Sequence, residues 1–272
     1  MTQPNKYGLS RDIREPIKRI IRQSAGFGCA ICGSAFGSYH HFSPKFADAR
    51  DHDPDGIVYL CRSCHDHADT GWFSEEKVRF HAANPKPLEQ GFSFGAFDMQ
   101  GEKATLHVAD VVAVKCRNFF RVDGRPVLWV NPPEAKGAPF RLNADLNDRN
   151  GKKIFQIIDN DLRICVDKFD VVIKGRSIKI YDGLRKIDLA IRTDPPENFY
   201  IEAIAMETDG YKISCRNNKL VVTSPSSKTT LGLSSSIFEA PLSVIDINKD
   251  GIEVGVIRDA PQPHWAAILL RR

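Results

Sequence analysis

Two C-x-x-C pairs constrain this chain of 272 residues more than any other feature: "CAIC", with Cys29 and Cys32, and "CRSC", with Cys61 and Cys64. Residues 33–60, 28 in all, separate the pairs. Each pair turns the chain tightly enough to direct two sulfurs at one point, and two converging pairs form a closed tetrahedral thiolate site. We therefore predict that these four cysteines bind a structural Zn²⁺. The ion would stabilise a segment that is too small to hold a core of its own.

The overall composition limits the environment and the partners of the chain. It has seven cysteines, an odd number, and the paired arrangement of four of them favours metal over disulfides in a reducing compartment. No apolar run approaches the ~18 residues that cross a bilayer, and "MTQPNKYGLSRD" at the start lacks the apolar stretch of a secretory signal. We expect a cytoplasmic protein with no membrane partner. The formal charge of +4 is compatible with a polyanionic partner but does not indicate one by itself.

Three histidines stand close to the cysteine pairs. His40 and His41 are neighbours in "GSYHHFSP", and His65 directly follows Cys64 in "LCRSCHDH". The combination of "CAIC", "YHHFSP" and "LCRSCHDH" resembles the zinc-bracketed branch of the HNH endonuclease family, over residues 24–80 only. The resemblance implies a ββα-metal unit, in which two short strands and a helix surround one catalytic cation.

The resemblance also implies a role for each histidine. His41 would be the general base that activates water, while His40 and His65 would bind the catalytic cation, so all three would be catalytic residues. His65 would open a helix, which Gly71 is expected to divide into two pieces. Asp69 lies four residues after His65 on this helix, where its carboxylate either reaches the same cation or is simply exposed. The cation would be Mg²⁺, Mn²⁺, Ni²⁺ or Zn²⁺, and imidazole ligands favour the last three.

Two details of this segment need a structural explanation. Neighbouring side chains on a strand point to opposite faces, so a bulge or turn is expected at His40 and His41. The family also carries an asparagine about five residues before the second cysteine pair, where "DPDGIVYLC" has Asp55 or Gly56 instead. An ionised carboxylate cannot donate a hydrogen bond as that amide does. Either the loop is held in another way, or activity is weakened or lost.

A basic helix is predicted before the first cysteine pair. In "PIKRIIRQS", residues 16–24, three isoleucines recur at helical spacing, Pro16 suits a first turn and Gly26 follows the end. Residues 1–24 hold six basic and two acidic side chains. The basic side chains either form a solvated helix face or contact phosphates. The candidate nucleic-acid contacts are Lys18, Arg19, Arg22 and Arg62.

The composition changes near residue 81, and a Pro- and Gly-rich stretch follows up to residue 95. We predict an HNH domain over residues 1–95 and an all-β domain over residues 96–272, which together make an α+β chain. The β domain is predicted as a sandwich or a β-solenoid-like stack, because apolar residues alternate in several runs between turn signals. Two such runs are Phe140, Leu142, Ala144, Leu146 and Tyr211, Ile213, Cys215.

Together with the cysteine and histidine motifs, the resemblance implies a metal-dependent DNA endonuclease that hydrolyses phosphodiester bonds with a histidine base. Two alternatives remain open. One is a non-catalytic, zinc-dependent nucleic-acid-binding module, and the other is a structural or ligand-binding β protein of phage or mobile-element type. DNA is the expected partner, and the β domain could add a protein partner or self-assembly.

Overall fold

The computed structural model describes residues 3–99, 101, 103–216, 218–225 and 230–256. The chain is mixed α+β, mostly β-sheet with few helices, as the coarse fold class predicted. It divides into two compact units, Met1–Gly95 with Arg163–Val171, and Ala96–Leu162 with Val172–Arg272. The end of the predicted β domain, residues 257–272, lies outside the described part of the chain.

The helices all lie in the first part of the described chain, before residue 96. The elements there are α1 (Glu15–Ser24), β1 (Ser38–His41), a 3-10 turn (Pro54–Gly56), β2 (Ile57–Leu60), α2 (Arg62–Asp69), α3 (Glu75–Ala83), α4 (Lys86–Gln90) and β3 (Phe92–Ala96). Within the described residues, no helix is long and apolar enough to span a bilayer.

The rest of the described chain is built from strands. They are β4 (Thr105–Val108), β5 (Val111–Val114), β6 (Asn118–Val122), β7 (Arg125–Asn131), β8 (Arg141–Asn147), β9 (Lys153–Ile158), β10 (Asp161–Cys165), β11 (Asp170–Lys174), β12 (Ser177–Gly183), β13 (Lys186–Asp194), β14 (Asn198–Thr208), β15 (Tyr211–Arg216), β16 (Lys219–Thr223), β17 (Thr230–Leu233), β18 (Ser236–Glu239), β19 (Ser243–Asn248) and β20 (Gly251–Val256).

Most strands of the second unit pair with the next strand in the chain. β6 to β9 are antiparallel neighbours, and β19 joins them by parallel pairing with β6 and antiparallel pairing with β20. β12 to β17 form a second antiparallel series, to which β4 adds in parallel at β14. The predicted alternating residues are buried: Phe140, Leu142, Ala144, Leu146, Tyr211, Ile213 and Cys215.

Helix α1 forms where the isoleucine spacing predicts it. Pro16 lies in its first turn, and Gly26, with φ of +63°, follows its end. Ile21 is fully buried, in a cluster with Ile57 and Tyr59 of β2. This packing fixes α1 against the β1–β2 pair, which carries the histidines.

The loop between β1 and β2, residues 42–56, is closed by backbone contacts where its two ends meet. Its four residue pairs run in unbroken antiparallel register, from Ser38 with Leu60 to His41 with Ile57. The carbonyl of Gly56 accepts hydrogen bonds from the backbone N–H groups of Phe42 and Ser43, at 3.0 and 3.3 Å. A Cβ atom at Gly56 would lie 2.1 Å from the Ser43 carbonyl oxygen, so the turn requires glycine there.

The predicted helix after the second cysteine pair consists of two pieces, as Gly71 indicated. Gly71 adopts a φ of +80° between α2 and α3. Helix α2 begins at Arg62, earlier than the expected start at His65. The Cys61 side chain caps it by accepting a hydrogen bond from the Cys64 backbone N–H at 3.4 Å.

Arg22 is buried instead of displayed, which argues against its predicted contact with nucleic acid. Its guanidinium donates two hydrogen bonds to the Asp170 carboxylate, at 2.9 and 2.7 Å. It also donates to Glu15 and to the Tyr39 hydroxyl, each at 2.6 Å. Because its donors are directed at protein acceptors, Arg22 stabilises the first unit.

Substitution of Asp170 by alanine is expected to lower the free energy of unfolding of the first unit by about 3 kcal/mol, because it leaves a buried guanidinium without its main counter-charge. The matched control is Asp12→Ala, which removes the ion-pair partner of Lys18. The Asp12 side chain is 86% exposed. That change should cost less than about 1 kcal/mol. Urea unfolding followed by circular dichroism measures both, and equal costs would contradict the structural role of the buried pair.

Candidate functional site

The four paired cysteines converge on one point of the first unit. Their sulfur atoms all lie within 4.8 Å of one another, and the Cys32 and Cys61 sulfurs are 3.6 Å apart. Cys29 and Cys64 are buried, in a small apolar core with Val58 and Leu60 of β2. The cluster could therefore bind a structural metal ion.

Backbone hydrogen bonds shape the first cysteine pair before any ion binds. The Cys29 N–H donates to the Ser34 carbonyl at 2.7 Å, and the Gly33 N–H donates back to the Cys29 carbonyl at 2.8 Å. The Ala30 N–H donates to the Tyr59 carbonyl of β2 at 2.9 Å, which ties this turn to the strand that leads to the second pair. Backbone hydrogen bonds thus hold the turn of the first cysteine pair against β2.

The thiols in this cluster strongly affect one another. Burial, together with the nearby Cys29 sulfur, raises the pKa of Cys64 to about 12. The thiolate is the form that binds metals, so binding of a cation here would release the Cys64 proton.

A second cluster joins β1 to α2. His40, His65 and Asp69 each offer one ligand atom, and these three atoms lie within 4.8 Å of one another. The Asp69 carboxylate oxygens lie 3.4 Å from His40 Nδ1 and 3.0 Å from His65 Nδ1. Two imidazoles and a carboxylate are a donor set that could hold a divalent cation.

The three side chains of this cluster differ in their exposure to solvent. The His40 side chain is 11% exposed, His65 is 27% exposed and Asp69 is 57% exposed. Burial lowers the pKa of His40, and the neighbouring His65 lowers it further. The His40 imidazole is therefore neutral near pH 7, as metal ligation requires, and solvent reaches the cluster from the Asp69 side.

The side chain of His41 lies on the opposite face of β1 from that of His40. Its ring contacts Phe46, with ring centroids 5.3 Å apart, and its Nε2 atom lies 3.1 Å from His52 Nδ1. Of the expected bulge or turn, no bulge is present, because the β1–β2 register is unbroken; the strand ends at His41. Burial lowers the pKa of His41 to about 4, with His52, His40 and Arg11 adding to the shift. The ring is neutral near pH 7.

His52 is the residue of this site that sequence reasoning missed. It lies in the loop between the two strands, where a histidine is by default a surface residue or a phosphate contact. No spacing rule connects it to His41, eleven positions earlier, because the loop has no regular period. The one available signal is that His52 lies, like the histidine pair, between the two cysteine pairs.

Several hydrogen bonds hold the loop before β2, where the resemblance leads us to expect an asparagine. Asp55 is exposed, and the close approach at Gly56 leaves no room for a side chain there. The Asp53 carboxylate accepts a hydrogen bond from the Asp55 backbone N–H at 3.0 Å and caps the 3-10 turn. Further support comes from the Gly56 carbonyl described above and from the Gly56 N–H, which donates to the Asp53 carbonyl at 3.1 Å.

The other predicted nucleic-acid contacts differ in their availability. Lys18 and Arg19 lie on α1, where their side chains are 26% and 25% exposed and pair with Asp12 and Asp170, each at 3.2 Å. Arg62 is exposed in the first turn of α2, one helical turn before His65. Of these three, Arg62 is the best placed beside the second cluster.

No protein-family model, curated protein or solved structure matches this chain. We therefore infer the function of the chain from the geometry of the two clusters and from the residues around them.

Substitution of Cys64 by serine is expected to remove one tightly bound metal ion per chain, because it takes one sulfur from a four-sulfur set. The melting temperature of the first unit should fall by at least about 10 °C as binding energy is lost. Elemental analysis and differential scanning calorimetry measure these effects. Cys116→Ser is the control, since Cys116 is equally buried but lies in the second unit. Equal metal content in the two variants would rule out the four-cysteine centre.

Proposed function

We propose that this chain is a metal-dependent DNA endonuclease. In this proposal Cys29, Cys32, Cys61 and Cys64 bind a structural Zn²⁺, and His40, His65 and Asp69 bind one catalytic divalent cation. The observation that carries the proposal is that one segment, from the turn at Cys29 through β1 and β2 to α2, contributes all the residues of both clusters. His41 directly follows His40, a residue of the second cluster.

The sulfur geometry supports zinc as the structural ion. Four sulfurs around Zn²⁺, at about 2.3 Å each, lie about 3.8 Å from one another in a tetrahedron. The Cys32 and Cys61 sulfurs are 3.6 Å apart, and the whole set falls within 4.8 Å. Soft thiolate ligands in a closed, partly buried set also favour zinc over Mg²⁺ or Ca²⁺.

The second cluster suits a cation that takes part in a reaction. One donor atom from each of the three residues lies within 4.8 Å of the other two, close enough for all three side chains to approach a single ion. Three protein ligands leave coordination positions for water or phosphate oxygens, and Asp69 lies at the solvent side. When bound, a divalent cation supplies Lewis-acid stabilisation of the scissile phosphate and of the leaving oxygen.

His41 supplies the base that hydrolysis needs. Its neutral imidazole accepts a proton from water as the water oxygen forms a bond to phosphorus. One bridging P–O bond breaks in the same displacement, and the released oxygen takes a proton from solvent. Phe46 packs against the His41 ring and limits its motion. His40 and His41 thus divide two tasks between the two faces of one strand.

The DNA strand would approach from the side of α2. Arg62 is exposed there, one turn before His65, and provides a fixed positive charge for a phosphate. Trp72 follows Asp69 by three residues and is 82% exposed, which offers a flat surface on which a base could stack. Both residues belong to the segment that carries the second cluster.

Substitution of His41 by alanine is expected to reduce nicking of supercoiled plasmid at least about 100-fold with Mn²⁺ or Mg²⁺, because the water loses its proton acceptor. DNA affinity, measured by fluorescence anisotropy, should stay within about two-fold of wild type. Gel assays of nicking with each cation provide the rate.

The control for this experiment is His107→Ala, a histidine of the second unit that hydrogen-bonds Asn198. It should nick DNA at the wild-type rate. If the wild-type protein binds DNA but neither it nor any variant nicks the plasmid, the chain is a non-catalytic binding module and the nuclease proposal fails.

Substitution of Arg62 by alanine is expected to weaken DNA binding, because one phosphate contact is lost. The slope of log affinity against log salt should fall by about one. Anisotropy titrations between 50 and 200 mM salt measure the slope. Lys174→Ala removes an exposed positive charge from β11 and should leave it unchanged. A slope that is the same for Arg62→Ala and wild type would exclude this contact.

A further inference from the structure

The contact between His41 and His52 is the most specific feature around the proposed base. His41 Nε2 lies 3.1 Å from His52 Nδ1, which is hydrogen-bond distance, and the two ring centroids are 5.3 Å apart. The contact brings a loop residue against the last residue of β1. It therefore determines how the His41 ring can rotate.

The His41 ring is also bounded by Phe46, and that residue is itself held in place. Phe46 packs against the imidazole, while the Arg11 guanidinium covers the Phe46 ring at 4.2 Å from its centroid. The Asn5 side-chain amide donates hydrogen bonds to the Phe46 and Ala49 carbonyls at 2.7 and 2.6 Å. With Phe46 fixed in this way, His52 supplies the polar contact that orients His41.

The second nitrogen of His52 indicates that this contact is not there for stability alone. His52 Nε2 is buried and has no hydrogen-bond partner among the described residues. A buried imidazole nitrogen without a partner costs free energy, and such exceptions in folded proteins call for an explanation. A ring held with one nitrogen unsatisfied and the other on the proposed base points to a functional constraint.

Two neutral imidazoles can share one hydrogen bond in two ways. If His52 Nδ1–H donates, His41 Nε2 accepts, and the proton of His41 lies on Nδ1, so its ring has no free lone pair. If His41 Nε2–H donates, His41 Nδ1 keeps a free lone pair. Only the second arrangement leaves His41 able to take a proton from water.

We propose that His52 is a positioning residue that accepts a hydrogen bond from His41 Nε2–H and thereby fixes the tautomer in which His41 Nδ1 accepts the proton of water. This inference rests on the proposed function, because it assigns the reacting nitrogen of the same base. The hydrogen-bond acceptor for His41 is then the His52 imidazole, in the loop between β1 and β2. The same loop carries Asp55 and Gly56 where the resemblance leads us to expect an asparagine.

Three substitutions of His52 test the role. In asparagine the polar atoms branch from Cγ, as Nδ1 does in histidine, so His52→Asn can keep an oxygen acceptor near His41 Nε2. In glutamine the polar atoms lie one bond farther out, in the place of Nε2, and His52→Gln loses the contact. His52→Ala removes it entirely, and metal content and melting temperature of all three serve as controls.

We expect His52→Ala and His52→Gln to lower the turnover number for plasmid nicking about 10- to 100-fold, with KM within about two-fold of wild type. His52→Asn should recover most of the lost rate. The role is excluded if His52→Ala nicks at the wild-type rate, or if the asparagine and glutamine variants have equal rates.

A measurement without DNA separates this proposal from the nuclease proposal. Nitrogen-15 spectra of the imidazoles should show His41 in wild type as one tautomer, protonated at Nε2, and as a mixture in His52→Ala. If His41 of the wild-type protein carries its proton on Nδ1, the inference is wrong, even when the protein nicks DNA. If wild type does not nick DNA but shows the Nε2 tautomer, the nuclease proposal fails while the effect of His52 on the ring stands.

Discussion

Convergence of four cysteine sulfurs is the constraint on which the first unit depends. One pair lies in the turn after α1 and the other at the start of α2, so a metal ion bound by all four cysteines would fix α2 against the β1–β2 pair. Few large apolar side chains surround it, and residues such as Val58 and Leu60 provide only a small core. A bound ion would therefore supply stability that so small a core does not.

The position of α2 has a direct consequence for the second cluster. His65 and Asp69 are one turn apart on this helix and meet His40 from β1, so the cluster exists only while the helix holds its place. His41, on the other face of the strand, has a separate environment of Phe46 and His52. A ligand and a proposed base thus come from adjacent residues, yet each is held by different neighbours.

The sequence predicted the parts of this site that follow from local spacing. The cysteine pairs, helix α1 and the break at Gly71 depend on residues within a few positions of one another. The contacts that it missed join distant positions: Arg22 meets Asp170, 148 positions later, and His41 meets His52 through an irregular loop. The expected bulge is absent for a related reason. We expected it because a bulge would turn both histidines toward one cation. Unbroken pairing with β2 gives each of them a face of its own.

X-ray absorption at the zinc edge distinguishes a four-cysteine zinc centre from any other zinc site, measured on the whole chain as purified. We expect a shell of four sulfurs at about 2.3 Å and no nitrogen or oxygen in that shell. Protein that holds no zinc, or a zinc shell made mainly of nitrogen and oxygen, would contradict it, because the cysteine cluster would then not be the centre that fixes α2.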